Sequence, residues 1–257
     1  MLSQEQKKLG WTWANSAQWS INFPCANGLC QSPINIKTSD TVPKFFSSLN
    51  FSSKYDSDLM FTMTNNGQQI QMTFPKDSNE QTGDELYLTG INLIGKYHFS
   101  DLHIHWGADN KQGAEHEIDG NRFAGEAHFV HKNKDTQQLA VLAIFLTVSD
   151  IGNKSNEWDK YANIASQLTK TDDKTTCVLN LSRLMQMKHT EFYRYEGSLT
   201  SPPCTEGIIW TVFPYEVPIK EESLNALRQN ILPNTYRPLQ PLNGRTVFRN
   251  YEHSQTI

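Results

Sequence analysis

The stretch Leu102-His103-Ile104-His105-Trp106, read with Glu126-Ala127-His128-Phe129-Val130, decides what this chain builds. Side chains alternate along a β-strand, so His103 and His105 share one face while Leu102, Ile104 and Trp106 share the other. His128 follows His105 by 23 residues and sits in a second run of strand character. If the two strands pair, three imidazoles converge from rigid backbone. Three neutral imidazoles are a strong zinc set, and three protein ligands leave the fourth tetrahedral position to water, as in a catalytic rather than a structural site. A chance His-x-His pairing is the competing reading, and the neighbouring residues argue against it.

Carboxylates stand where such a centre needs them. Asp101 lies two residues before His103, Glu126 two before His128, and Glu115-His116 follows the first strand. Residues at i and i+2 share a strand face, so each carboxylate can accept the proton on the other nitrogen of its histidine. That contact fixes tautomer and orientation and strengthens the ligand. Exposed charge is the alternative for Asp101 and Glu126, disfavoured by their apolar neighbours. Further on comes Gly197-Ser198-Leu199-Thr200-Ser201-Pro202-Pro203-Cys204. A threonine hydroxyl beside a metal can donate to a glutamate and accept from a metal-bound hydroxide, whereas Pro-Pro alone suits an ordinary turn.

Outward from the histidines, strand patterns dominate. Runs 59–64 and 69–74 flank Asn65-Asn66-Gly67-Gln68, a polar connection suited to a hairpin. Further strands are expected at 86–88, 97–106, 124–131, 139–147 and 208–213. Two helices are expected. One spans 156–168, with a Trp158, Tyr161, Ile164, Ala165, Leu168 stripe and a Ser155/Asn156 cap; the other spans 220–229. Trp11, Trp13 and Trp19 read as an anchor for the N-terminal segment. The reading is mainly β, one domain over 1–257.

A formal charge of −4 gives no basic footprint for nucleic acid. The longest apolar run, 139–146, has eight residues, too short to span a membrane. The first ten residues, MLSQEQKKLG, are polar and carry no export signal. Four cysteines (Cys25, Cys30, Cys177, Cys204) form no Cys-x-x-Cys motif, and suit either two disulfides in an exported protein or four thiols in a cytoplasmic one. Sequons at Asn50, Asn153 and Asn180 lean toward a secreted or surface-anchored glycoprotein, with the cytoplasm as the alternative.

Taken together, these residues resemble the α-class carbonic anhydrases. The matching motifs are Gln31-Ser32-Pro33-Ile34-Asn35-Ile36, His103-x-His105-Trp106-Gly107, Glu115-His116, Glu126 to His131, Leu139-Ala140-Val141-Leu142, Gly197 to Pro203, and Arg237-Pro238-x-Gln240-Pro241-Leu242. They occur in family order from Trp11 to Leu242. The resemblance implies a central, twisted, mostly antiparallel ten-stranded sheet with short peripheral helices. It implies Zn²⁺ on His103, His105 and His128, and hydration of carbon dioxide to bicarbonate and a proton by zinc-hydroxide attack. Thr200, bonded to Glu115, would orient the hydroxide, and its N–H would bind inhibitor anions or sulfonamides. Val130, Val141, Leu199 and Trp210 match the family's apolar wall for carbon dioxide; Asn66, Gln71 and Ser201 match its hydrophilic wall. His116 and His131 match buried structural positions. A Cys25–Cys204 disulfide is implied by the pairing common in extracellular members.

Three residues depart from the family pattern. Gln68 stands where fast members carry a proton-shuttling histidine, and an amide cannot relay a proton near neutral pH. Trp13 replaces a tyrosine of the water wire. Asp101 replaces the common glutamine behind the first ligand. Two rival readings are a catalytically silent binding protein on this fold and a general zinc hydrolase. The complete histidine set with Thr200 and Glu115 disfavours the first, and the absence of a peptide- or sugar-binding motif disfavours the second. Oligomeric state is left open.

Overall fold

The computed structural model describes residues 10–75, 86–149, 156–186 and 190–250. The Asn153 sequon, the Ser155 half of the expected cap, His189 and His253 therefore lie outside the described residues. Among the described residues twelve strands form one sheet, ten of them in one continuous order. From one edge that order is Lys174–Leu179, Leu59–Asn65, Ile70–Thr73, Leu93–Trp106, Gly125–Asn133, Leu139–Val148, Glu206–Ile219, Tyr193–Ser198, Phe248–Asn250 and Val42–Lys44. Neighbours are antiparallel except Leu139–Val148 beside Glu206–Ile219 and Phe248–Asn250 beside Val42–Lys44. The expected ten-stranded, mostly antiparallel sheet is thus present, with Asn50–Phe51 and Tyr87–Gly90 added to its flank. Asn35–Ile36 and Glu117–Ile118 form a separate parallel pair.

The sheet has two unlike faces. On one, Leu102, Ile104, Trp106, Phe129, Leu142 and Ile144 are fully buried in the larger core with the helix Glu157–Ala165. Each such side chain contributes roughly 1.5–3 kcal/mol of burial energy. That helix begins at a capping box, Asn156 accepting the Asp159 N–H while Asp159 accepts the Asn156 N–H. On the other face, Val130, Val141, Ala143, Phe145, Trp210 and Val212 form a second cluster.

One irregularity decides which residues reach that second face. Pairing between Leu93–Trp106 and Gly125–Asn133 slips between Phe99 and Asp101, leaving Ser100 as an extra residue. Before the bulge the odd-numbered Tyr97 and Phe99 enter the larger core; after it the even-numbered Leu102, Ile104 and Trp106 do. A bulge exchanges the faces of everything beyond it. Asp101, His103 and His105 are thereby turned out of the main core together.

Candidate metal centre

Register assembles the histidines. His103 pairs directly with His128, and His105 with Glu126. The row continues on either side, Gln71 opposite His103 and Ala143 opposite His128. Ligand-capable nitrogens of His103, His105 and His128 all lie within 4.8 Å of one another. His105 and His128 are 1% exposed, and the His103 side chain 12%.

In each ring one nitrogen is held by the protein, which leaves the other to face its neighbours. His103 Nδ1 donates to Asp101 Oδ1 at 2.8 Å. His128 Nε2 donates to Glu126 Oε1 at 2.7 Å. His105 Nδ1 donates to the backbone carbonyl of Thr235. Asp101 and Glu126 are therefore where the strand spacing put them. Thr235 was not found from the sequence, because a backbone carbonyl has no side-chain signature. The inward nitrogens are then His103 Nε2, His105 Nε2 and His128 Nδ1. Burial, reinforced by the neighbouring histidines, holds His105 well below the usual histidine range. Burial also takes His128 down to about 4, against the opposing pull of Glu126. Both rings are neutral at pH 7, the form that binds metal.

Glu115 stands beside them, 0% exposed. Its Oε1 accepts the Arg237 N–H at 2.8 Å. Among the described residues its Oε2 has no hydrogen-bond partner, nor has His105 Nε2, 3.3 Å away. His128 Nδ1 is 3.8 Å from the same oxygen. Burial raises Glu115 to about 8, the Glu126 charge adding to the rise and a hydrogen bond from the Thr200 hydroxyl opposing it. Two orphaned buried polar atoms inside a cage of neutral imidazoles are costly in a protein interior. A divalent cation bound by the imidazoles relieves both. The residues present fit zinc.

A second group of candidate ligand atoms, His116, Glu126 and His128, is already saturated. Glu126 Oε1 accepts from both rings, and its Oε2 accepts the N–H groups of Glu115 and His116 at 2.9 and 2.7 Å. Burial alone would raise Glu126; the charges and hydrogen bonds of His116 and His128 override it and hold the carboxyl well below its ordinary range. His116 Nε2 continues to the Tyr195 hydroxyl at 2.7 Å, which in turn contacts Ser32 Oγ at 2.7 Å. His131 is buried on the opposite face, bonded to Tyr55 and to the Phe129 carbonyl. Both fill the structural places expected of them.

The apolar residues expected around the centre also come together. Val130 opposes Val141, Val141 opposes Trp210, and Leu199 packs on the same cluster. The Trp210 ring meets His128 edge-on with centroids 4.8 Å apart. Thr200 is buried and Ser201 half-buried, its carbonyl accepting the Cys204 N–H. Gln68 is half-buried on the hairpin, its amide donating to the Trp11 carbonyl at 2.6 Å while its own carbonyl accepts from Trp13 Nε1. Trp13 in turn stands edge-on to His105 at 5.5 Å. Gln31, which the sequence marked only as part of a motif, clamps the loop after Thr200: its amide donates to the Cys204 carbonyl and to Glu206, and its oxygen accepts from Arg237.

The profile of the eukaryotic-type carbonic anhydrases matches residues 14–251. The chain belongs to the eukaryotic-type carbonic anhydrase family. Carbonic anhydrase 12 of Homo sapiens is 30% identical over 268 residues, spanning 92% of this chain and 71% of that protein. Carbonic anhydrase 6 of Mus musculus is 34% identical, spanning 94% and 80%. Carbonic anhydrase 3 of Homo sapiens is 29% identical, spanning 91% and 94%. The chain is accordingly a carbonate dehydratase, acting on carbon dioxide and bicarbonate.

Two expectations are corrected or narrowed. The Cys25–Cys204 bridge is not formed: all four cysteines are free thiols, Cys25 exposed and Cys204 buried with Trp13, Trp19 and Phe23. Burial raises the Cys204 thiol to about 11, Arg237 opposing the rise and Cys25 adding to it. Of the sequons, Asn50 is exposed, whereas Asn180 is 2% exposed and caps a helical turn by accepting the Arg183 N–H. A glycan on Asn180 is incompatible with that cap. No helix among the described residues is long and apolar enough to cross a membrane.

Proposed function

We propose that this chain hydrates carbon dioxide at a zinc ion held by His103 Nε2, His105 Nε2 and His128 Nδ1, the whole chain acting as one catalytic domain. The observation that carries the reading is the pair of buried, unpartnered atoms His105 Nε2 and Glu115 Oε2, 3.3 Å apart within the triad. When bound, zinc supplies Lewis acidity that brings the pKa of a water close to neutrality, a behaviour for which carbonic anhydrase is itself the standard example.

The chain's own residues do the rest. Asp101, the Thr235 carbonyl and Glu126 fix the tautomer of the three rings. Thr200 would donate a hydrogen bond to Glu115, the bond that opposes the rise of that carboxyl, and its lone pairs would accept one from the nucleophile, which sets the direction of attack. Its N–H is the donor this reading assigns to an anionic or sulfonamide inhibitor. Val130, Val141, Leu199 and Trp210 pack in one apolar cluster and would supply the apolar surface against which carbon dioxide waits. Gln68 holds the hairpin to Trp11 and carries no titratable proton, so export of the product proton is slow. Secretion or surface anchoring, with a glycan on Asn50, is the compartment this reading favours.

The test joins metal analysis to stopped-flow carbon dioxide hydration. One zinc per chain is expected, and His105→Ala loses both zinc and hydration, because only two of the three imidazole ligands remain. A metal-free His105→Ala protein with full activity overturns the proposal. Zinc retention without hydration favours the silent binder, and ester cleavage without hydration favours the general hydrolase.

A further inference from the structure

The three imidazoles are not supported alike. His105 leans on a neutral carbonyl, whereas His103 and His128 each lean on a carboxylate. The two carboxylates also differ. Glu126 shares its charge among four donors. Asp101 accepts, among the described residues, the single hydrogen bond from His103, and no lysine or arginine pairs with it. With Glu115 the count of carboxylates against the triad is three. The guanidinium of Arg237, whose backbone N–H is bonded to Glu115, donates instead to Gln31 Oε1 and the Ser32 carbonyl. Among the described residues, no lysine or arginine on the His103 side balances the charge of Asp101.

A carboxylate behind an imidazole does two separable things. Its hydrogen bond orients the ring, which any acceptor could do. Its charge makes the ring a stronger donor to a metal and adds a negative potential against any incoming anion. We propose that Asp101 is a positioning residue whose charge, beyond its hydrogen bond, tightens metal retention and weakens the binding of small monovalent anions at the centre. The proposal rests on the zinc reading above. It assigns Asp101 a role in choosing between neutral carbon dioxide and competing anions, since the charge repels the latter and leaves the former unaffected.

Asp101→Asn separates the two effects, because the amide oxygen still accepts from His103 Nδ1 while the charge is gone. Wild type and variant are first compared in thermal unfolding. Zinc affinity is then measured on metal-free protein by competition with a chromophoric chelator. Thiocyanate affinity is measured from the visible absorption of the cobalt-loaded protein. Zinc affinity is expected to fall roughly tenfold, and thiocyanate to bind roughly five- to tenfold more tightly. Asp101→Glu, which keeps the charge, should stay closer to wild type in both. If Asp101→Asn matches wild type in both assays within twofold while Asp101→Ala falls, the hydrogen bond alone matters and the proposal is overturned. A wild-type protein that takes up no zinc refutes instead the zinc reading on which it stands.

Discussion

Glu126→Gln is the sharpest probe of how the metal centre is built. The carboxylate is 0% exposed and receives two backbone N–H groups on Oε2 and two ring nitrogens on Oε1, all at 2.7–2.9 Å. Glutamine has the same shape but must turn an NH₂ toward one of these pairs. The backbone N–H groups of Glu115 and His116 cannot become acceptors. The rings can, by changing tautomer, so the amide oxygen should take the backbone side and the NH₂ the rings. His128 then carries its proton on Nδ1, the nitrogen that faces His105 and Glu115. Its metal-facing lone pair is lost. Restoring the working tautomer costs hydrogen bonds that a charged acceptor made strong, each about 1.5–3 kcal/mol. A 10- to 100-fold loss of zinc affinity is expected, equivalent to about 1.4–2.8 kcal/mol. Glu126→Ala would leave four donors unpaired and threaten the fold itself. Chelator competition on metal-free protein measures the affinity, and a melting curve checks that the variant is folded. Zinc affinity within twofold of wild type, in a folded variant, refutes the tautomer argument.

Other consequences can be measured independently. With Gln68 unable to relay, proton release to bulk water limits turnover to roughly 10³ s⁻¹, against about 10⁶ s⁻¹ for fast enzymes of this class. Gln68→His should therefore raise kcat far more than kcat/KM, and added imidazole should do the same for wild type; fast turnover in dilute buffer would disprove it. Metal-free protein should lose stability as pH falls below about 6.5. His105, His128 (about 4) and His131 (about 3) stay neutral in the fold, while their unfolded counterparts take up protons near 6.5. Glu115, raised to about 8, has the opposite sign and removes stability as pH rises between about 4.5 and 8. The net grows from about half a proton at pH 6.5 toward two protons near pH 5.5, a slope of at most about 2.7 kcal/mol per pH unit, and a flat denaturation profile from pH 6.5 to 5.5 would contradict it. Mild oxidation should join Cys25 to Cys204 and stabilise the protein by up to roughly 5 kcal/mol in the chain-entropy model. Alkylation of both thiols after that treatment would rule the bridge out.

What the sequence disclosed and what it hid divide along a physical line. His103, His105, His128, Asp101 and Glu126 were legible because strand alternation ties a two-residue spacing to a shared face, and the structure keeps that spacing within each strand. The hairpin at Asn65–Gln68, the Asn156 cap and the strands of the sheet's centre were legible from local turn chemistry and apolar runs. The edge strands Val42–Lys44 and Lys174–Leu179 were not, because an edge strand is defined by one partner and needs little apolar pattern of its own, nor was Phe248–Asn250, whose three residues are too few to show a pattern. The Ser100 bulge was hidden for a related reason: the run 97–106 looks like one strand, and a bulge appears only when its partner's register is known. That hidden residue has the larger effect. Without it, the alternation set by Tyr97 and Phe99 would turn His103 and His105 into the main core and put Leu102, Ile104 and Trp106 on the open face. Three histidines at the right spacing would then make no centre. The supports missed from the sequence, the Thr235 carbonyl and the Gln31 clamp, act through backbone atoms or across more than a hundred residues. Side-chain chemistry was therefore readable in advance, while the backbone geometry that lets it work had to be seen in three dimensions.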